Sequence, residues 1–168
     1  MVLTKSELLA SLQNEVRILL HLAGKVHRDR LDYRPTDKQR STLELLRYLT
    51  IMGPALIEAA QAGTFAVETW TAKEAHAKSL DFDATLAALA AHHDEYARLL
   101  GAMSDADLRG EIAMFGPPTS KGAFIVNWVL CGCAAYRTQL FNYLKASGRA
   151  ELDTTNLWGG MDNPKPSA

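Results

Sequence analysis

Apolar residues recur every three or four positions in four long stretches of the chain, which is the spacing of one face of an α-helix. The first stretch carries its apolar stripe at Leu8, Leu12, Val16, Leu19, Ala23 and Val26. The third carries its stripe at Leu86, Leu89, Ala90, His93, Ala97 and Leu100. With matching stripes in the other two stretches, the pattern predicts helices over residues 5–29, 42–62, 82–103 and 120–146.

The ends of these stretches carry helix-capping signals. Thr4 and Ser41 are each followed three residues later by glutamate, which is the capping-box pattern of a helix start. Gly63 and Gly148 follow the second and fourth stretches and are expected to close those helices. Pro54 lies inside the second stretch and predicts a kink there, since proline lacks an amide donor.

The stretches between the helices are less regular. Residues 64–81 have no clear stripe, although a short helix over 72–78 fits their composition, and residues 104–119 end in a Gly-Pro-Pro loop signal. The chain therefore predicts an all-α four-helix bundle over residues 1–150, with a long connection between the second and third helices. Residues 151–168, which are rich in glycine and proline, are expected to form an extended tail.

Composition narrows the classes of function. The net charge of −1 gives no electrostatic footprint for nucleic acid. No apolar run approaches the ~18 residues of a membrane span, and the first residues show no secretory signal pattern. Cys131 and Cys133 are two positions apart, so on a helix they point in different directions and cannot form a disulfide. We therefore expect a soluble, cytoplasmic protein with no nucleic-acid or membrane partner.

Two short motifs resemble the DinB-like four-helix bundles. The runs LDYRP at 31–35 and RSTLELLRYL at 40–49 resemble the entry to the second helix of that family. The run YRTQL at 136–140, followed by Leu144 and Gly148, resembles the His-Arg-x-Gln-Leu segment of its fourth helix. The resemblance covers residues 5–150 and implies the same bundle fold.

The DinB-like family holds a metal ion with three histidines, and the resemblance implies which positions correspond to them. Tyr48 stands at the position of the histidine on the second helix, and Gly132 and Tyr136 stand at those of a His-x-x-x-His pair on the fourth. Glycine has no ligating side chain, and a neutral phenol with a pKa of about 10 is a poor ligand for zinc or nickel. We therefore expect no metal there and no cofactor.

The residues at these positions have two interpretations. In one, Tyr48 and Tyr136 face each other and fill the space of the metal and its imidazoles, with their hydroxyls bonded to Gln139, a backbone carbonyl or water. In the other, the phenols and Gln139 line a pocket for a small organic ligand, with room left by Gly132 and with Trp128 on the same helix face.

Two histidines offer a different site. His27 and His93 fall on the predicted apolar stripes and could approach each other across the bundle, whereas His92 is expected to face solvent. A lone histidine on an inner face is most often a hydrogen-bonded core residue, because a metal site needs three or four convergent groups.

Three functions are compatible with the sequence. The first is a DinB-like binding or structural module without the metal. The second is a thiol-dependent transferase, an activity that the resemblance implies for some relatives, working through a rearranged site. The third is an interaction protein that acts through its surface as a homodimer or through Leu157 and Trp158 of the tail.

Overall fold

The computed structural model describes residues 3–164, and most of these residues are helical. The helices are α1 (Lys5–Ala23), α2 (Thr42–Ala62), α3 (Val67–Ser79), α4 (Phe82–Gly101), α5 (Asp105–Arg109), α6 (Lys121–Phe124) and α7 (Cys131–Ala146). A π-helical segment (Ile125–Leu130) joins α6 to α7, so residues 121–146 form one continuous helical segment. Together with α1, α2 and α4 it makes the predicted four-helix bundle.

The core lies between the four long helices. α1 packs mainly on α4 and α7, and α2 packs on α3, α4 and the fourth helix. The largest fully buried side chains come from every one of these bundle helices: Leu12, Ile18, Leu45, Met52, Leu99, Tyr96 and Phe124. Burial of these apolar stripes is the main force that holds the bundle together. No helix of the described residues is long and apolar enough to cross a membrane.

The predicted helix starts are confirmed. The Thr4 hydroxyl accepts from the Glu7 amide, the Ser41 hydroxyl accepts from the Glu44 amide, and each glutamate reaches back to the amide of its capping residue. Gly63 ends α2 with a φ of 76°, a left-handed conformation that favours glycine. These ends follow from local chemistry alone, so the bounds of α2 agree with the prediction.

The first helix is shorter than predicted. It ends at Ala23 rather than at residue 29, and a single 3₁₀ turn follows at Arg28–Arg30. The chain turns here because the backbone of residues 31–33 bonds the start of α2: the Leu43 amide donates to Leu31 at 2.9 Å and the Thr42 amide donates to Tyr33 at 2.9 Å. The helix predicted over the third stretch, residues 82–103, likewise ends earlier, at Gly101.

The connections hold more structure than the sequence indicated. The link between the second and third bundle helices contains α3, a full helix over residues 67–79 rather than a short one over 72–78. Two short strands, β1 (Glu111–Ile112) and β2 (Thr119–Ser120), pair antiparallel in the 104–119 connection. The sequence showed no strand signal there, because two residues are too few for a period to be seen.

The C-terminal tail is not fully extended. Residues Thr155–Gly159 form one π-helical turn that lies on α1 and α7. Arg17 donates to the Gly159 carbonyl at 2.9 Å, and Lys25 pairs with Asp162 at 2.5 Å. The tail is therefore attached to the bundle through residue 162, and residues 165–168 of the predicted tail lie outside the described residues.

Candidate functional site

Two tyrosines from different helices meet at the centre of the candidate site. Tyr48 of α2 and Tyr136 of α7 are both half-buried, and their ring centroids are 5.2 Å apart in an edge-to-face arrangement. The expected contact between the two phenols is therefore present. Aromatic pairs at this distance and angle are favourable beyond their burial, because a positive ring edge meets a negative ring face.

Two further side chains pack on Tyr48. Trp70 of α3 packs on Tyr48 with a centroid distance of 6.0 Å, and the guanidinium carbon of Arg40 lies 3.9 Å above the Tyr48 ring. Burial, and secondly the neighbouring Tyr136 phenol, raise the pKa of Tyr48 well above its ordinary value. Tyr48 is therefore a neutral hydroxyl donor across the whole physiological pH range.

Gly132 does not leave an open space beside the tyrosines. The terminal methyl of Met52 fills this position, since a Cβ added at Gly132 would lie 3.3 Å from Met52 Cε. A side chain at residue 132 would push Met52 aside. The glycine thus serves close packing between α7 and α2.

Gln139 belongs to a neighbouring hydrogen-bond network. Its side-chain amide donates to the Tyr143 hydroxyl, and that hydroxyl donates to the Arg40 carbonyl at 3.1 Å. In this structure Gln139 bonds neither phenol of the pair. It instead fixes the backbone of Arg40, whose side chain covers Tyr48.

A cavity of about 380 Å³ opens on the outer side of Tyr48. It lies between the loop 34–40, the first half of α2 and the second half of α3. Its apolar lining comes from Tyr48, Ile51 and Ala77, and its rim carries several arginines and lysines. No pattern in the sequence indicates this cavity, because it forms only where the second half of α3 lies beside residues 34–51.

Three predicted pocket residues lie elsewhere. His27 and His93 are exposed, and Trp128 is 44% exposed and packs against Phe115 and Phe124. His27 leaves the predicted stripe because α1 has already ended at Ala23. The π-helical turn rotates the face of the fourth helix, which moves Trp128 out of the core.

His92, predicted to face solvent, is the buried histidine of α4. It is 6% exposed, and its Nε2 donates to the Thr50 carbonyl at 2.8 Å. That carbonyl would normally accept the amide of residue 54, but Pro54 has no amide hydrogen. The proline in α2 was thus a signal that a donor from another helix is needed.

The two cysteines differ in their surroundings. Cys131 is exposed, whereas Cys133 is turned inward and its sulfur lies 3.9 Å from the Tyr96 hydroxyl. Burial raises the pKa of the Cys133 thiol to about 12. Because the thiolate is the reactive form, Cys133 is not an activated nucleophile.

Comparison with solved structures identifies the fold of this chain. The chain resembles a DinB-like protein of Bacillus subtilis, YjoA, with a TM-score of 0.67 over 87% of this chain and 94% of that one, at 16% sequence identity. This chain has the DinB-like fold. No family model matches the sequence, and no curated protein matches it.

Tyr48, Gly132 and Tyr136, which the resemblance assigns to the family's metal position, do not match the donors of a metal site. They supply two phenols and a hydrogen, and Met52 covers the glycine. Deprotonating Tyr48 is disfavoured by its raised pKa, and zinc takes at least three ligands from His, Cys, Asp or Glu. Among residues 3–164, no three side chains of those four types converge on one point.

One arginine of the DinB-like motif holds the tail. Arg137 is 3% exposed and lies 2.9 Å from the Glu15 carboxylate on α1. It also donates to the Leu157 carbonyl, and its guanidinium carbon lies 5.2 Å from the Trp158 ring. Arg137 therefore joins α7, α1 and the tail rather than the ligand cavity.

Proposed function

We propose that this chain is a DinB-like bundle that binds a small organic ligand without a metal ion. The observation that carries the proposal is the edge-to-face pair of Tyr48 and Tyr136 at the position of the family's ligands. On the resemblance, Tyr48 and Tyr136 stand where two imidazoles would stand, and the Met52 methyl fills the space beside Gly132, where the third would stand. Chemistry that needs a Lewis acid has no suitable donor set here.

The cavity beside Tyr48 supports ligand binding rather than a purely structural role. At about 380 Å³ it is within the size range of small-molecule sites, about 300–1,000 Å³. It has an apolar floor and polar groups at its rim, which is the usual composition of such sites. Tyr48 belongs both to the aromatic pair and to the wall of the cavity, so the pair positions one wall of the binding site.

The proposal also includes a cellular location and an oligomeric state. Both cysteines of the described chain are free thiols, which supports a reducing compartment such as the cytoplasm. We also propose a homodimer, because α4 presents several exposed alanines, and small residues permit close approach of a second helix.

A variant with the family's ligands restored tests the assignment of the metal position. The variant carries Tyr48→His, Gly132→His and Tyr136→His, together with Met52→Ala to make room at residue 132. Zinc and nickel are titrated calorimetrically into this variant and into the wild type. We expect the variant to gain at least about tenfold in affinity over the wild type, because three histidines then converge.

The matched control for this titration is Met52→Ala alone, which opens the same space without adding a ligand. Tight metal binding by the wild type that is lost in Tyr48→Phe would overturn the proposal and favour the transferase alternative. Equal and weak binding by all three proteins would show that Tyr48, Gly132 and Tyr136 do not occupy the family's ligand geometry.

A further inference from the structure

The cavity beside Tyr48 carries more positive than negative charge. Its rim has five cationic side chains: Arg34, Lys38, Arg40, Arg47 and Lys78. It has three acidic side chains: Asp37, Glu44 and Glu74. The chain as a whole has a net charge of −1, so this excess is a local feature of the cavity.

Two of the three carboxylates at the rim are already engaged. Glu44 lies 3.1 Å from Arg34 and accepts the Ser41 amide at 2.7 Å, and Glu74 lies 3.2 Å from Lys78. These contacts hold the pKa of Glu44 below its ordinary value, with the Ser41 bond as the first cause.

The remaining cations outnumber the remaining acid. Lys38, Arg40 and Arg47 have no acidic partner among residues 3–164, and Asp37 is the carboxylate left beside them. The cavity therefore keeps an excess of positive charge after its internal ion pairs are formed. An anionic group that enters it gains partners without breaking an ion pair.

Arg40 is held in place before a ligand arrives. Its guanidinium stacks on the Tyr48 ring at 3.9 Å, and its carbonyl accepts the Tyr143 hydroxyl at 3.1 Å. Stacking uses the face of a guanidinium and leaves its N–H edges available for two parallel hydrogen bonds to a carboxylate or phosphate. Arg40 therefore presents a binding edge at a small entropic cost.

Arg47 is fixed by hydrogen bonds to one backbone carbonyl. Its Nε donates to the Leu80 carbonyl at 2.7 Å, and its Nη2 donates to the same oxygen. These bonds leave Nη1 without a protein acceptor within the described chain. Arg40 and Arg47 thus border one cavity from the loop and from α2, and Ile51 and Ala77 belong to the same lining.

We propose that this cavity binds a small organic anion, with a carboxylate or phosphate group held by Arg40 and Arg47 and an apolar body on Tyr48, Ile51 and Ala77. The inference rests on the proposed ligand-binding function and adds the chemical class of the ligand. Carboxylate and phosphate are both matched by the fork of an arginine, so the two are separated by experiment.

Benzoate, phenyl phosphate and benzyl alcohol are suitable probes, because they share one ring and differ in the charged group. Each is titrated into the full chain while the Ile51 and Ala77 methyl resonances are followed by NMR. We expect one or both anions to shift these resonances with an affinity at least about tenfold above that of the alcohol. The anion that binds more tightly identifies the preferred group.

Variants of one arginine test the role of charge. Arg40→Gln is expected to weaken binding of the anions at least about tenfold, and Arg40→Lys less, since lysine keeps the charge but not the fork. Arg98→Gln is the control: it removes the same charge from an exposed position on α4 that does not line this cavity and should leave affinity unchanged.

Equal binding of the alcohol and the anions, or anion binding unaffected by Arg40→Gln, would overturn the inference while leaving a metal-free ligand site intact. Repeating the titration after dialysis against a chelator separates the two proposals. If the untreated protein holds stoichiometric metal and anion binding is unchanged after the chelator has removed it, the metal-free function is refuted and the anion site is supported.

Discussion

Replacing His92 with leucine is expected to destabilise the fold by about 1–2 kcal/mol. The imidazole Nε2 donates to the Thr50 carbonyl at 2.8 Å, and Pro54 cannot supply the helical amide for that oxygen. A buried acceptor that loses its donor costs about 1–3 kcal/mol. Thr50 is half-buried, so water can reach it in part, which places the expected loss in the lower half of that range.

A double-mutant cycle separates this bond from simple packing. Pro54→Ala restores an amide donor for Thr50, so it should help the His92→Leu protein by about 1 kcal/mol more than it helps the wild type. His93→Leu is the matched control, because the His93 side chain is 59% exposed and surface changes usually stay within about 0.5 kcal/mol.

The free energy of unfolding is measured for all four proteins of the cycle and for the control by urea denaturation at pH 7.5, followed by circular dichroism. Strictly additive effects of the two substitutions, or a loss below about 0.5 kcal/mol for His92→Leu, would refute the role assigned to His92.

The same residue predicts a pH dependence. Burial lowers the pKa of His92 below its ordinary 6.5, so the unfolded chain binds a proton more readily than the folded one. His92 therefore makes its full contribution to the free energy of unfolding above about pH 6.5. As the pH falls below that value, the free energy of unfolding decreases by at most about 1.4 kcal/mol per pH unit. The pKa of His21 is also lowered, chiefly by burial, so the wild type is compared with His92→Leu, in which only the His92 part is missing.

Three further predictions concern packing, thiol reactivity and assembly. Gly53→Ala should cost about 1–3 kcal/mol in urea denaturation, because its Cβ would lie 1.9 Å from the Tyr96 hydroxyl oxygen; Gly101→Ala, with nothing within 4 Å, is the control and should be neutral or stabilising. At pH 8, a thiol reagent should modify exposed Cys131 rapidly and Cys133, whose pKa is raised to about 12 by burial, only on unfolding; equal rates would contradict this. Light scattering at micromolar concentration should give twice the mass of the 18.4 kDa chain, and a monomer mass would refute the homodimer.

Features set by neighbouring residues could be predicted from the sequence. The capping boxes at Thr4 and Ser41 and the closing glycine at residue 63 each depend on contacts within one turn. They fixed three helix ends, and with the apolar stripes they gave the four-helix bundle. The position of Tyr48 and Tyr136 followed from the resemblance, and their contact is present.

Features set by distant parts of the chain could not be predicted. The predicted apolar stripe of α4 included Ala90 and Ala97, which shifted the predicted buried face by about one residue. The prediction therefore placed His93 in the core, where the structure has His92. Thr85 and Tyr96 are buried instead, and the large ring of Tyr96 fills more of the space between the helices than an alanine methyl can. The π-helical turn that exposes Trp128 and the three-segment cavity had no local signal.

The metal content of the wild-type protein tests the central claim most directly. The protein is purified without a metal-affinity tag, and zinc, nickel, iron and manganese are measured by mass spectrometry with the chain concentration known. The account predicts far less than one ion per chain, and anion binding at the Tyr48 cavity that is unchanged by a chelator. One zinc or nickel ion per chain, with ligand distances of about 2.0–2.3 Å in X-ray absorption and loss of the ion in a Tyr48→Phe/Tyr136→Phe protein, would contradict it.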